Sequence, residues 1–139
     1  MTKEEKEILL KDLCARLPYK VKIQSWYGAI LTSDLNTFPF SMEEMDKEDM
    51  WDQLSGFKPY LRPLSSMTEE EKAELSDYVC ERVMPGKGGI EFPPYPTDGI
   101  RVPFEWMQYW LDWLNAHHFD YRGLIPMGLA LEAPENMYK

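Results

Sequence analysis

The residues His117-His118-Phe119-Asp120-Tyr121-Arg122 are the one place in this 139-residue sequence where imidazole, carboxylate and guanidinium stand together. Two readings of them are open. In the first, His118 is a general base, Asp120 orients it, Arg122 clamps an anion and Tyr121 lines the same pocket. In the second, the run is a helix-to-turn junction. There His117 or His118 complements the last carbonyls of the preceding helix, and Asp120 caps the next turn and pairs with Arg122. Neighbouring helical residues diverge by roughly 100°, so the two histidines are poor joint ligands and no metal site is read here.

The remaining motifs carry less chemistry. Gly86-Lys87-Gly88-Gly89 lacks the spacing of a phosphate loop and follows a helix where such a loop follows a strand. Phe92-Pro93-Pro94-Tyr95-Pro96 favours polyproline II, either as a rigid loop of its own domain or as a ligand for an aromatic groove. An EF-hand counted from Asp46 puts Trp51 where the loop needs glycine, which rejects calcium. Cys14 and Cys80 fall on apolar helical stripes without an adjacent base and read as inert core residues. No phosphate-loop, Rossmann, serine-hydrolase or metal motif is present, and no cofactor is expected.

Two surfaces stand out instead. Glu43, Glu44, Asp46, Glu48 and Asp49, with Asp52, place six acids against one lysine in ten residues. They read as a solvated helix face, or as an acidic surface that engages a basic partner or imitates nucleic acid toward one. Trp106, Trp110 and Trp113 lie on one side of a strongly apolar helix. They read as core, or as a binding or self-association face, because tryptophan concentrates at interface hot spots.

These candidates need elements to hold them. Thr2 and Glu5, Ser41 and Glu44, and Thr68 and Glu71 have capping-box spacing, so each pair predicts a helix start. The first helix carries Leu10, Leu13, Cys14 and Leu17 as an apolar stripe and ends near Pro18. Tyr19 to Gln24 alternates and predicts a strand, with Ala29 to Thr32 as its hairpin partner after Tyr27-Gly28. Phe57 to Leu64 must be extended, and Pro59 and Pro63 point to a sheet edge or a connector. Leu75, Tyr78, Val79 and Val83 form the core face of the helix after Thr68. Pro103 suits a helix N1 position, and Leu129 to Glu132 predicts a last short strand. The sum is one α+β domain, a small antiparallel sheet or hairpin packed with three to four helices.

Fifteen basic and 24 acidic side chains leave a net charge of −9, which disfavours nucleic-acid backbones and anionic membranes. With 44% hydrophobic residues the chain carries enough apolar mass for a core. No apolar run exceeds three residues, which argues against a membrane span, and the sparse cysteines suit the reducing cytoplasm.

Three stretches carry a family resemblance. They are Leu13-Cys14-Ala15-Arg16-Leu17-Pro18-Tyr19, Lys58 to Thr68, and Phe119 to Ile125 continuing through Gly128 to Pro134. In these words the chain resembles a family of proteins from gut Bacteroidales genomes, their prophages and their mobile elements. The resemblance implies that source context and brings no catalytic residue. The expectation is a small acidic, non-enzymatic interaction module, an accessory protein of a phage or mobile element. The alternative is a small-molecule binder or enzyme at His118, Asp120, Tyr121 and Arg122.

Overall fold

A computed structural model describes residues 2–25, 28–33, 57–86, 91–94 and 103–138. The local signals act where the spacing places them. Thr2 caps the helix Lys3–Arg16 (α1), its hydroxyl accepting from Glu5 N at 3.1 Å while Glu5 accepts from Thr2 N at 2.7 Å. Thr68 and Glu71 repeat the arrangement at the start of Glu69–Val83 (α2). Each box satisfies two of the four backbone N–H groups that a helix start leaves open. The third helix is Phe104–Ala116 (α3), with Pro103 as N-cap, one place before the expected N1. The box at Ser41 and Glu44, and the helix expected after it, lie outside the described residues.

The α+β class is as expected, and the hairpin forms. Val21–Gln24 (β1) pairs antiparallel with Ile30–Ser33 (β2), from Val21 opposite Ser33 to Gln24 opposite Ile30. Val21 and Ile23 are buried, as the alternation requires. Gly28 takes φ +88° in the connecting turn, a left-handed conformation that glycine adopts without a Cβ penalty.

The sheet goes beyond the hairpin. Lys58–Pro63 (β3) pairs antiparallel with β1, and parallel with both Phe119–Asp120 (β4) and Leu131–Glu132 (β5), so the sheet is mixed. β3 is therefore the hub of the sheet and not an edge. Its prolines are tolerated because each partner pairs with only two of its residues, so no long ladder needs an N–H from Pro59 or Pro63.

A side chain continues one of these ladders. With Ile23 opposite Pro59 and Gln24 opposite Lys58, the next pair in register is Lys22 and Tyr60. The Tyr138 hydroxyl stands between them, accepting from Lys22 N at 2.9 Å and donating to Tyr60 O at 2.7 Å. Burial, more than any neighbour, pushes this phenol up to about 12. Tyr138→Phe keeps the ring and removes the bridge. It is expected to lower stability by about 1–3 kcal/mol, since two partly buried backbone groups lose their partner. Urea unfolding measures this, and an unchanged midpoint would show that Lys22 N and Tyr60 O find other partners.

The core has two parts. Leu9, Leu13, Val21, Ile23, Phe57, Leu61, Leu124 and Leu129 pack between α1 and the sheet. Met67, Leu75, Val79, Trp110, Trp113, Leu114 and Phe119 pack between α2, α3 and β4. Arg62 of β3 links this second cluster to α2: its guanidinium meets both oxygens of Glu71 at 2.7 and 2.8 Å and lies over the Phe119 ring. This ion pair, ahead of the capping hydrogen bonds, holds the Glu71 carboxyl below its ordinary pKa.

On α1 the buried face runs Leu9, Asp12, Leu13, Arg16, one position off the apolar stripe read from sequence. The shift leaves Cys14 exposed rather than in the core, while Cys80 is buried. Partial desolvation raises the Cys14 thiol pKa, which keeps it a poor nucleophile. Among the described residues no helix is long and apolar enough to cross a membrane.

Candidate functional site

A groove of about 410 Å³ opens where α2 and α3 meet the 3-10 turn Leu17–Tyr19. Helical periodicity builds one wall. Glu74, Asp77, Tyr78 and Glu81 stand at i, i+3, i+4 and i+7 of α2 and so share a face. Asp112, Trp113 and Ala116 come from α3, and Tyr19 and His117 complete the lining. Tyr19, Tyr78, Ala116 and His117 are half-buried and Trp113 is buried, whereas the four carboxylates are exposed. The apolar groups thus make a floor and the acids a rim.

The lining holds no lysine or arginine. His117 is fixed by its own helix: its ring stacks on Trp113 at 3.9 Å and its Nδ1 lies 2.9 Å from Trp113 O. A carbonyl only accepts, so the proton of the neutral ring sits on Nδ1, which leaves Nε2 facing Glu74 at 3.9 Å. The Tyr19 phenol is raised above its ordinary pKa by burial first, then by the Asp112 carboxylate and by Tyr78. Beside the groove, Arg82 lies 3.4 Å above the Tyr78 ring centre and donates to Tyr78 O. Among the described residues no three His, Cys, Asp or Glu side chains group so as to hold a metal.

A second groove, of about 670 Å³, runs along α2 beside residues 91–94. Part of its charge is already matched, since Lys72 lies 3.0 Å from Glu69.

The residues expected to form a pocket near His118 do not line either groove. His118 takes φ +61° and is buried, its ring stacked on Tyr138 at 3.7 Å. Its Nδ1 has no hydrogen-bond partner among the described residues. Burial, then the positive charge of Arg16, lowers its pKa to about 3. A group held neutral in this way is a weak base at ordinary pH.

Asp120 caps the following turn as expected, accepting from Leu124 N and Ile125 N at 2.9 Å each. It does not pair with Arg122. The Arg122 Nε lies 3.4 Å from Asp12 of α1, and its Nη2 donates to the Tyr121 hydroxyl, which donates to Asn115. Asp12 is already held by Arg16 at 2.8 and 3.0 Å, and Arg16 donates to Phe119 O at 2.7 Å. These side chains tie α1 to β4 and its turn. Their geometry is that of a fastening, because each oriented group is committed to another part of the chain.

Trp110 and Trp113 are core residues, 0% and 5% exposed, and Trp106 is half-buried against the same cluster. Of the readings open for the three, core fits Trp110 and Trp113, whose indoles pack within their own chain, and Trp113 also lines the groove. Residues 92–93 help to cover the tryptophan side of α3, with Phe92 edge-on to Trp110 and Pro93 O accepting from Trp110 Nε1 at 2.8 Å. A buried indole needs such an acceptor for its single N–H. Glu43, Glu44, Asp46, Glu48 and Asp49 lie outside the described residues.

Sequence reading missed the groove as a site. Its only sequence signal is the i, i+3, i+4, i+7 run of Glu74, Asp77, Tyr78 and Glu81, since Tyr19 and Asp112 join it from elements far away in the chain. The chain matches no family model, no curated protein and no solved structure.

Proposed function

We propose that this protein is a non-enzymatic interaction module that seats a basic segment of a partner protein in the groove between α2 and α3. The observation that carries the reading is a half-buried aromatic floor rimmed by Glu74, Asp77, Glu81 and Asp112, with no lysine or arginine in the lining. Apolar contact supplies affinity and the acidic rim supplies steering and selection of partner. A second copy of the chain, itself at −9, is disfavoured as the occupant by like charge. The setting in this reading is that of an accessory protein of a phage or mobile element, which rests on the sequence resemblance alone.

The test is fluorescence anisotropy with a labelled basic peptide. The variant Asp77→Asn/Glu81→Gln/Asp112→Asn is expected to weaken binding at least about tenfold, with unchanged circular dichroism. That loss corresponds to about 1.4 kcal/mol. A matched triple change away from the groove, Glu4→Gln/Glu7→Gln/Glu135→Gln, also removes three exposed carboxylates and is expected to leave affinity within about twofold, as exposed charges away from a site contribute little. No binding by the unaltered protein at low salt, or equal loss in both variants, overturns the reading.

A further inference from the structure

Several features of the groove bear on which cation it takes, lysine ammonium or arginine guanidinium. The carboxylates do not converge. Glu74, Asp77 and Glu81 span eight residues of α2, about 10 Å at 1.5 Å per step. Asp112 comes from another helix, and among the described residues no three acids group so as to enclose one ion. A compact point charge gains from only one or two of them at a time. A planar cation with five N–H donors spreads its charge and its hydrogen bonds over more of the rim.

The floor adds a second preference. It is aromatic and half-buried, so an entering cation loses part of its hydration. Guanidinium is the more weakly hydrated of the two and stacks flat on aromatic faces, whereas ammonium is strongly hydrated. This wall already carries such a contact, with the Arg82 guanidinium 3.4 Å above the Tyr78 ring centre. The His117 ring stacks on the buried Trp113 indole, 17° from parallel, so the half-buried imidazole presents the flat surface in this part of the lining.

We infer that the groove is an arginine-recognition site, in which a guanidinium from a basic segment of a partner protein stacks on the aromatic floor while the acids of both helices accept its N–H groups. This rests on the docking reading above and adds the identity of the recognised side chain.

The probes are two labelled peptides of equal length and charge, one with four arginines and one with four lysines among alanine and serine. Binding is measured by anisotropy at two salt concentrations. The arginine peptide is expected to bind roughly fivefold or more tightly than the lysine peptide, in line with a desolvated cation–π contact. The preference is expected to fall towards unity in Tyr19→Leu and in Tyr78→Leu, each verified as folded by thermal melting. Tyr19→Leu keeps the test open where Tyr78→Leu does not fold. Asymmetric dimethylation of the arginines keeps their charge, blocks bidentate bonding and is expected to weaken binding.

Equal affinity for the two peptides, reduced in both by Asp112→Asn, overturns arginine recognition and leaves the docking reading standing. An arginine preference untouched by Tyr19→Leu and Asp112→Asn places the contact elsewhere and also overturns it. Absence of binding by either peptide overturns both readings.

Discussion

Replacing Asp12 with alanine is expected to lower the unfolding free energy by about 3–5 kcal/mol, the usual cost of removing one partner from a buried ion pair. Asp12 and Arg16 are both fully buried, and the carboxylate meets the guanidinium at 2.8 and 3.0 Å. Arginine cannot shed its proton to escape the burial. Without Asp12, Arg16 keeps Phe119 O as its one described hydrogen-bond acceptor, beside the Tyr121 ring at 5.4 Å, and its Nη1 already has no hydrogen-bond partner among the described residues. Arg122, 3.4 Å from the same carboxylate, loses its counter-charge as well.

Asp12→Asn retains an acceptor oxygen and is expected to cost less than the alanine variant. The double variant Asp12→Leu/Arg16→Met is expected to recover most of the loss, because apolar replacements of a buried pair are often neutral or better. Urea unfolding followed by tryptophan fluorescence gives all three values. A cost below about 1 kcal/mol for Asp12→Ala would place the pair with exposed salt bridges and overturn the account of it as sealed.

Stability is also expected to fall on mild acidification, through His118. In the folded protein its pKa is lowered to about 3 from an ordinary 6.5. The unfolded chain therefore binds the proton first, and unfolding is favoured as pH drops below 6.5. The stabilising effect of holding His118 neutral is complete above that value and is lost progressively down to about 3. At about 1.4 kcal/mol per pH unit, the loss is roughly 2 kcal/mol by pH 5.

Glu71, whose pKa is lowered by Arg62, acts with the same sign below its ordinary value of 4.5. The interval from pH 6.5 to 5 therefore lies above the Glu71 contribution, and within it a variant at position 118 separates His118 from His117. The surroundings of His118 explain the shift: it is buried against the Tyr138 ring and feels the charges of Arg16, His117, Arg62 and Lys22. Asn tolerates the left-handed backbone at this position. His118→Asn is expected to lower stability uniformly, through the lost ring stack, and to flatten its slope between pH 7 and 5. Equal slopes for both proteins, from urea unfolding at several pH values, would overturn the assignment.

Legibility followed the range of the interaction. The capping boxes at Thr2 and Thr68 involve residues three apart and were readable as spacing. The β1–β2 hairpin was readable from alternation and a glycine turn. The turn cap of Asp120 was readable too, because it reaches only four and five residues ahead. The burial of Asp12 and Arg16 was not: apolar pattern alone moves the stripe of α1 by one residue and leaves the ion pair on the outside. The central place of β3 was hidden by its prolines, since the partners that pair with it two residues at a time come from three distant segments. The groove escaped because an acidic helix face looks the same in sequence whether it meets bulk water or an aromatic floor.

By itself, then, the sequence determined the α+β class, the capped helix starts at Thr2 and Thr68, the hairpin and the net charge of −9. Those properties depend on neighbours within a turn or a hairpin, or on a sum over the chain. The tertiary structure decided which faces are covered. It sent Trp110 and Trp113 to the core, tied Arg16 to Phe119 across 103 residues and bridged Lys22 to Tyr60 through Tyr138. It also gathered Tyr19, Asp77 and Asp112 around one groove. Burial and electrostatic environment are properties of what packs against a residue, and in this chain much of what packs comes from the far end.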